Sequence, residues 1–352
     1  MRAFKMLKLS VVIPLFNAER YIEKCVSSLE LQDVDRKLYE IIVVDDGSTD
    51  SSSDLVARLQ GEYDNIVILH QNNSGPGGAR NRGLCEANGE FVLFVDADDY
   101  VIENCLGTML SVADNGPVDF VGFGFTIHFN SGLVSALRFP EVKSESITGI
   151  EFAHCYLQNN SSVCRYLFNR RFLLSNNLFF MEGITFEDVE LVPRIMCLAK
   201  RTRFYDLPFY QYFIRPGSTM TSICEKHIWS FLAAAEHLYS FMVEHSPALC
   251  EQELFLLNNT IAECLLASVS ACHRFPGKLR QLSDTIDRLP FYPLNLARCS
   301  KYQGQIWLLN SSVLLFWLVS YVRDSVMKVL NKGITATKLV SKILRFEPRK
   351  GS

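Results

Sequence analysis

Tyr39-Glu-Ile-Ile-Val-Val-Asp-Asp-Gly-Ser-Thr-Asp50 is the stretch that decides the fold. Its first half is a largely β-branched and apolar run without alternation, which predicts a strand buried on both faces. Two acids and a glycine come next, and Ser48, Thr49 and Asp50 then offer caps for a helix running through Leu59. The same order recurs on either side. Ser10 to Phe16 predicts a first buried strand, with helical spacing after it at Tyr21, Ile22, Cys25, Val26 and Leu29. Ile66 to Leu69 predicts a third strand, Gly77 to Ala87 a helix opened by a glycine-rich turn, Phe91 to Val95 a fourth strand and Asp119 to Phe125 a fifth. Strand and helix alternating over short connections predict an α/β fold, a mostly parallel sheet flanked by helices.

In open α/β sheets ligands sit beyond the carboxyl ends of the strands. Those positions carry the polar chemistry here: Phe16-Asn17, Asp45-Asp46-Gly47-Ser48, Asn73-Ser-Gly-Pro-Gly-Gly-Ala-Arg-Asn81 and Asp96-Ala-Asp98-Asp99. Three carboxylates within four residues repel one another unless a cation or hydrogen-bond donors compensate. On an extended backbone Asp96 and Asp98 would project to one face and Asp99 to the other. Oxygen-only ligands suit Mg²⁺ or Mn²⁺, which take one or two carboxylates plus ligand phosphates. Asp46 can accept a hydrogen bond from an imide N–H such as uracil presents, and Phe16 can supply a stacking face or pack in the core. Gly75 to Arg80 departs from the dinucleotide fingerprint at its last position, and no Gly-Lys-Ser/Thr comes after it. It reads either as a tight turn with a solvated Arg80 or as a helix N-terminus where backbone N–H groups and Arg80 meet a diphosphate.

The 352 residues suffice for roughly two units at about 150 residues per domain. With 48% apolar and 21% charged residues the chain is globular, and a net charge of -3 provides no field for nucleic acid. The charge is uneven. From Arg323 onward eight basic residues face two acidic ones, a local +6, so the rest of the chain carries about -9. Eleven cysteines without a CxxC pair or zinc spacing read as reduced, buried thiols. The apolar run near the N-terminus is short and broken by Pro14, so it reads as a strand and not a leader. Ile306 to Val322 has no charge but only 17 residues, at the lower limit for crossing a membrane. Either it packs as a buried helix, or with the basic tail it lies on an anionic lipid surface.

Five motifs occur in order: Ser10-Val-Val-Ile-Pro-Leu-Phe-Asn17, Val43-Val-Asp-Asp-Gly-Ser-Thr-Asp50, Asn73 to Asn81, Phe94-Val-Asp-Ala-Asp-Asp99 and Phe186-Glu-Asp188. Together they resemble the family 2 glycosyltransferases, inverting enzymes of the GT-A fold, over roughly residues 8–220. The resemblance implies that Phe16 and Asp46 hold the base, usually uracil, that Arg80 contacts the nucleotide and Asp96 the ribose region. It assigns the metal, Mg²⁺ or Mn²⁺, and the diphosphate to Asp98 and Asp99. In the acidic pair Glu187-Asp188 it makes Asp188 the catalytic base, and Arg215-Pro-Gly-Ser218 resembles a loop that closes over the diphosphate. Cys164-Arg165-Tyr166 departs from the family, standing where many relatives carry a tryptophan, and the QxxRW signature of processive synthases is absent.

The expected activity is therefore transfer of a single sugar from a nucleotide-sugar, a UDP-sugar by resemblance, to a glycan or polyprenyl-diphosphate-linked acceptor in surface polysaccharide synthesis. The expected place is the cytoplasm, at the inner face of the cell membrane. The competing readings are a nucleotidyltransferase, which needs a lysine-bearing glycine loop near the first strand that this sequence lacks, and a sugar-nucleotide-binding module without catalysis. The expected division is a nucleotide-sugar-binding half at 8–125, an acceptor and catalytic-base half at 126–220, a helical extension at 221–300, and an apolar segment with its basic tail at 301–352.

Overall fold

The structure, a computed structural model, describes residues 7–129, 132–137, 146–157, 161–215, 222–295 and 302–330, with side chains through 324. Pro216, Gly217 and Ser218 of the expected diphosphate loop, and the basic residues from Lys332 onward, lie outside them. The chain divides into two units, Met1–Ser222 and Ile223–Ser352.

In the first unit the strands are β1 (Leu9–Leu15), β2 (Tyr39–Asp45), β3 (Ile66–His70), β4 (Phe91–Phe94), β5 (Tyr100–Val101), β6 (Phe120–His128), β7 (Val134–Leu137), β8 (Tyr166–Asn169) and β9 (Thr202–Phe213). They form one sheet in the order β3-β2-β1-β4-β8-β6-β9-β5, with β7 paired to β6. The helices are α1 (Ile22–Glu30), α2 (Ser52–Glu62), α3 (Gly75–Glu86), α4 (Leu106–Asp114), α5 (Gly149–Phe152), α6 (Arg170–Ser175) and α7 (Glu187–Leu198). The uninterrupted apolar runs of β1, β2 and β4 sit at the centre of the parallel part, where Val11, Val43 and Val92 are fully buried. Strand order reverses between β2-β1 and β4, so the crevice expected of a doubly wound sheet opens at their carboxyl ends.

The sheet is only half parallel. β8 runs antiparallel to both β4 and β6, and β9 is parallel to β6 but antiparallel to β5. The division expected at 125/126 falls inside β6, because the aromatic strands of the second segment complete the sheet begun by the first. Gly122 in β6 leaves room for the Phe152 ring, which a Cβ there would meet. Phe152 then packs edge-on against Phe120 at 4.9 Å between ring centroids.

In the second unit α8 (Glu225–His245) and α9 (Glu251–Ala271) pair, with Ser268 Oγ donating to the Ile228 carbonyl at 2.8 Å. After them come α10 (Leu279–Ile286), α11 (Gln303–Ser311) and α12 (Val313–Leu330). The apolar segment read as Ile306 to Val322 is thus two helices, separated at Ser312, whose backbone is extended. One described helix, Glu251–Arg274, has the length and composition to cross a membrane, but 61% of its apolar window is buried inside the fold, as in a core helix. The ten described cysteines are free thiols, as read from the sequence, but Cys85, Cys224 and Cys250 are exposed, which the expectation of buried thiols missed.

Candidate active site

The site grows from the carboxyl ends of β1, β2 and β4. Phe16 follows β1 and is 49% exposed. Asn17 adopts φ 48°, a left-handed conformation that asparagine tolerates, and its side chain accepts the Thr49 N–H at 2.8 Å. That bond ties the end of β1 to the loop after β2. Asp45 accepts Ser48 N–H at 2.9 Å and faces His70 at 3.2 Å. Burial opposes its charge, but the bonds from Ser48, Ser53 and His70 outweigh burial and lower its pKa.

Asp46 is placed differently from a free imide acceptor. Its Oδ1 accepts from Gln71 Nε2 and Ser74 N, each at 2.8 Å, and from Ser74 Oγ at 3.3 Å. Its Oδ2 accepts from Gly75 N at 2.8 Å. Asp46 thus caps α3 from another strand, supplying both hydrogen bonds and negative charge at the positive end of the helix. Only Oδ2 keeps a lone pair for a ligand donor.

Arg80 lies one turn into α3 and is 4% exposed. Its guanidinium donates to Asp96 Oδ1 at 2.6 Å and to Glu187 Oε1 in a short contact, and it lies 4.0 Å from Asp188 Oδ1. The Phe180 ring covers it at 5.3 Å. Burial disfavours the charge, yet the three carboxylates prevail and hold the pKa of Arg80 well above its usual value. Arg80, expected as a nucleotide contact, is the cation at the centre of the acidic cluster. Neighbouring Asn81 pins the chain leading to that cluster, accepting Phe180 N–H at 2.8 Å and donating to Phe180 O at 2.9 Å. Gly77 permits the close approach, since a Cβ there would lie 3.0 Å from the Met181 carbonyl.

Phe186 precedes α7 at φ 61° and ψ 40°, a conformation that a bulky residue adopts only under constraint. It turns the chain so that Glu187 and Asp188, in the first turn of α7, meet Arg80. Asp188 Oδ2 accepts Val163 N–H at 3.2 Å, whereas Oδ1 accepts no hydrogen bond. The side chain is 22% exposed. Burial raises its pKa to about 7, with Arg80 opposing and Glu187 and Asp96 adding to the rise. The Val163–Arg165 turn presents that amide.

The expectation that 96–99 is extended fails. Asp99 N–H closes a turn onto Asp96 O at 3.1 Å, because β9 supplies partners that an extended strand would not reach. Tyr210 Oη accepts Asp96 N–H at 3.1 Å and donates to Asp99 Oδ2 at 2.9 Å, and Phe213 N–H donates to Asp99 Oδ1 at 3.0 Å. Both Asp99 oxygens therefore hold the turn, and burial with Asp96 and Asp98 nearby pushes its pKa up to about 8. Asp98 pairs with Arg215 through its carboxylate and its carbonyl, both in short contacts. Arg215 stacks on Tyr21 at 4.1 Å.

Asp96, Glu187, Asp188 and Arg80 thus form one cluster, and Asp98 with Arg215 a second beside it. Among the described residues no three metal-ligating side chains converge. Asp98 nevertheless suits a divalent cation that takes its remaining oxygens from a diphosphate: its carboxylate already draws the Arg215 guanidinium, and Asp96 adds negative charge beside it. The sequence reading missed Tyr210, Gln71, Ser74 and Asn81. Ser74 and Asn81 stood within a quoted motif, but Tyr210 lies more than 100 residues from its partners with no local signal.

If Asp188 must accept a proton, its raised pKa sets a pH dependence. At pH 5 to 6 the carboxyl is mostly protonated and inactive as a base, so kcat/KM is expected to rise with pH and level off above about 7. A pH–rate profile flat from 5 to 8 would oppose that role.

Residues 10–172 match the family described as Glycosyl transferase family 2. A relative in Escherichia coli, the uncharacterized glycosyltransferase YibD, is 31% identical over 218 residues, covering 60% of this chain and 62% of its own length. A Campylobacter jejuni GalNAc(5)-diNAcBac-PP-undecaprenol beta-1,3-glucosyltransferase is 43% identical over 111 residues, covering 31% of this chain and 35% of its own. The match thus spans less than two thirds of these relatives. Among solved structures, TarS 1-349 of S. aureus in complex with UDP-GlcNAc superposes with a TM-score of 0.69 at 25% identity, covering 90% of each chain. The half-parallel sheet with its acidic turn after β4 is accordingly the GT-A fold, and residues 10–172 within it are a glycosyl transferase family 2 region.

Proposed function

We propose that this glycosyltransferase moves a single sugar from a UDP-sugar to a hydroxyl of a glycan or lipid-linked oligosaccharide, with inversion at the anomeric carbon. The observation that carries the reading is Asp188: a half-buried carboxylate with one oxygen free of hydrogen bonds, held beside the Asp96–Asp99 turn by Arg80 and Val163. Such a carboxylate can accept a proton. The UDP-GlcNAc complex of TarS supports the donor class, and the undecaprenol-linked substrate named for the C. jejuni relative supports the acceptor class.

In the proposed step the acceptor oxygen attacks the anomeric carbon, the carbon–oxygen bond to the diphosphate breaks on the opposite face, and UDP leaves with the bonding pair. Asp188 takes the hydroxyl proton. A divalent cation, Mg²⁺ or Mn²⁺, supplies positive charge to the leaving diphosphate when bound, with Asp98 as its ligand. Arg215 balances Asp98 in its absence and would supply a cation to the same diphosphate. Phe16 offers its exposed face to the base, with Asp46 Oδ2 as the acceptor for an imide N–H. Asp96, bonded to Arg80, lines the ribose side.

The test is a panel of UDP- and GDP-sugars, read by calorimetric binding and by nucleotide release with and without divalent cations. At least one UDP-sugar is expected to bind and to release UDP only with metal. Preference for GDP-sugars, or consumption of a nucleoside triphosphate with release of pyrophosphate, would contradict the reading.

A further inference from the structure

α12 carries a surface that the catalytic reading does not use. Its inner side consists of Val313, Phe316 and Ser320, each nearly fully buried, with Trp317 half-buried. Its outer side consists of Leu314, Leu315, Leu318, Val319, Tyr321 and Val322, each between 42% and 54% exposed. At about 100° per residue these six occupy an arc of roughly 160°, all of it apolar. Trp307 on α11 is exposed as well. No charged residue occurs from Tyr302 to Val322. A surface helix ordinarily turns polar residues outward, so a helix apolar on both sides requires a second apolar partner.

The charge of the C-terminal stretch identifies that partner. Arg323 opens a run in which eight basic residues face two acidic ones. A second copy of the chain would bring a second +6 against the first, which repulsion opposes, whereas an anionic lipid surface complements it. The exposed apolar face from Leu314 to Val322 rises only about 13 Å, less than half of the ~30 Å hydrocarbon core, and the break at Ser312 keeps α11 from extending it. Trp307 and Tyr321 are the side chains favoured at the boundary of headgroups and acyl chains.

We propose that the outer face of α12 docks the chain on an anionic bilayer, lying in its plane and not crossing it. Leu314, Leu315, Leu318, Val319 and Val322 enter the acyl boundary, and the net positive charge of the sequence from Arg323 onward selects an anionic surface.

The test is sedimentation of the full chain with vesicles of equimolar phosphatidylglycerol and phosphatidylcholine, compared with phosphatidylcholine alone. At low salt the partition coefficient is expected to be about tenfold or more higher on the anionic vesicles and to fall steeply as salt is raised. The variant Leu315→Glu/Leu318→Glu/Val319→Glu is expected to lose about tenfold or more of that partitioning, with unchanged circular dichroism and unchanged UDP-sugar binding, since all three positions face outward. A wild-type chain that stays in the supernatant, or partitioning insensitive to salt and to lipid charge, overturns the proposal. So does a concentration-dependent dimer that the triple variant dissolves while vesicles recruit neither protein. The salt series uses the wild-type chain alone and decides the matter even if the variant fails to fold.

Discussion

Asp188→Asn is expected to lower kcat by about 10²–10⁴-fold while changing the dissociation constant of the sugar nucleotide by no more than about twofold. The asparagine keeps the size of the side chain and an oxygen for the Val163 N–H, so the first turn of α7 retains its contact. It loses only the ability to take a proton. The alternative role for Glu187-Asp188 is helix stabilisation, negative charge at the positive end of α7, a modest contribution of about 0.3–1 kcal/mol. That role predicts lower thermal stability with near-normal turnover, the opposite pairing of results. Measuring kcat by UDP release, the dissociation constant by calorimetry and the melting temperature on one preparation separates the two.

Arg80→Met is expected to cost about 3–5 kcal/mol of stability, the typical cost of removing one partner from a buried ion pair. Methionine fills much of the space of the stem but leaves Asp96, Glu187 and Asp188 facing one another without a cation. Like charges then favour protonation, so the loss should be greater at pH 8 than at pH 5. The sign comes from Asp188 in the wild type: its pKa in the folded protein, about 7, lies above the ordinary value of 3.8. The folded state holds that proton more firmly, so this group's contribution is fully present below 3.8 and is lost as pH rises through about 7. Without Arg80 the same slope steepens. Denaturant titrations at the two pH values are the measurement, and a loss below about 1 kcal/mol that does not vary with pH would show that Arg80 does not bind the cluster together.

The parts of the fold that were legible in the sequence are those whose signal is local. β1, β2 and β4 announce themselves by continuous apolar runs, and α3 and α7 by a glycine-rich turn and an acidic first turn. The rule that ligands gather at strand ends singled out Phe16, Asp46, Arg80 and Asp96, which lie after β1, β2 and β4 or in α3, yet it said little about what each side chain touches. Asp46 looked like a free acceptor because Gln71, Ser74 and Gly75 approach it from another loop. Asp96 to Asp99 looked extended because β9, which bends them into a turn through Tyr210 and Phe213, lies more than 100 residues away. The antiparallel strands β8 and β5 were missed for the same reason: they are short, and long-range pairing decides them.

If a hydroxyl activated by Asp188 displaces UDP in one step, the stereochemistry of the product reveals it most directly. With an α-linked UDP-sugar as donor, a single displacement gives a β-linked product, read from the anomeric proton coupling in the NMR spectrum. An α-linked product would contradict it, because retention requires a second displacement or a covalent intermediate that Asp188 in this role does not form.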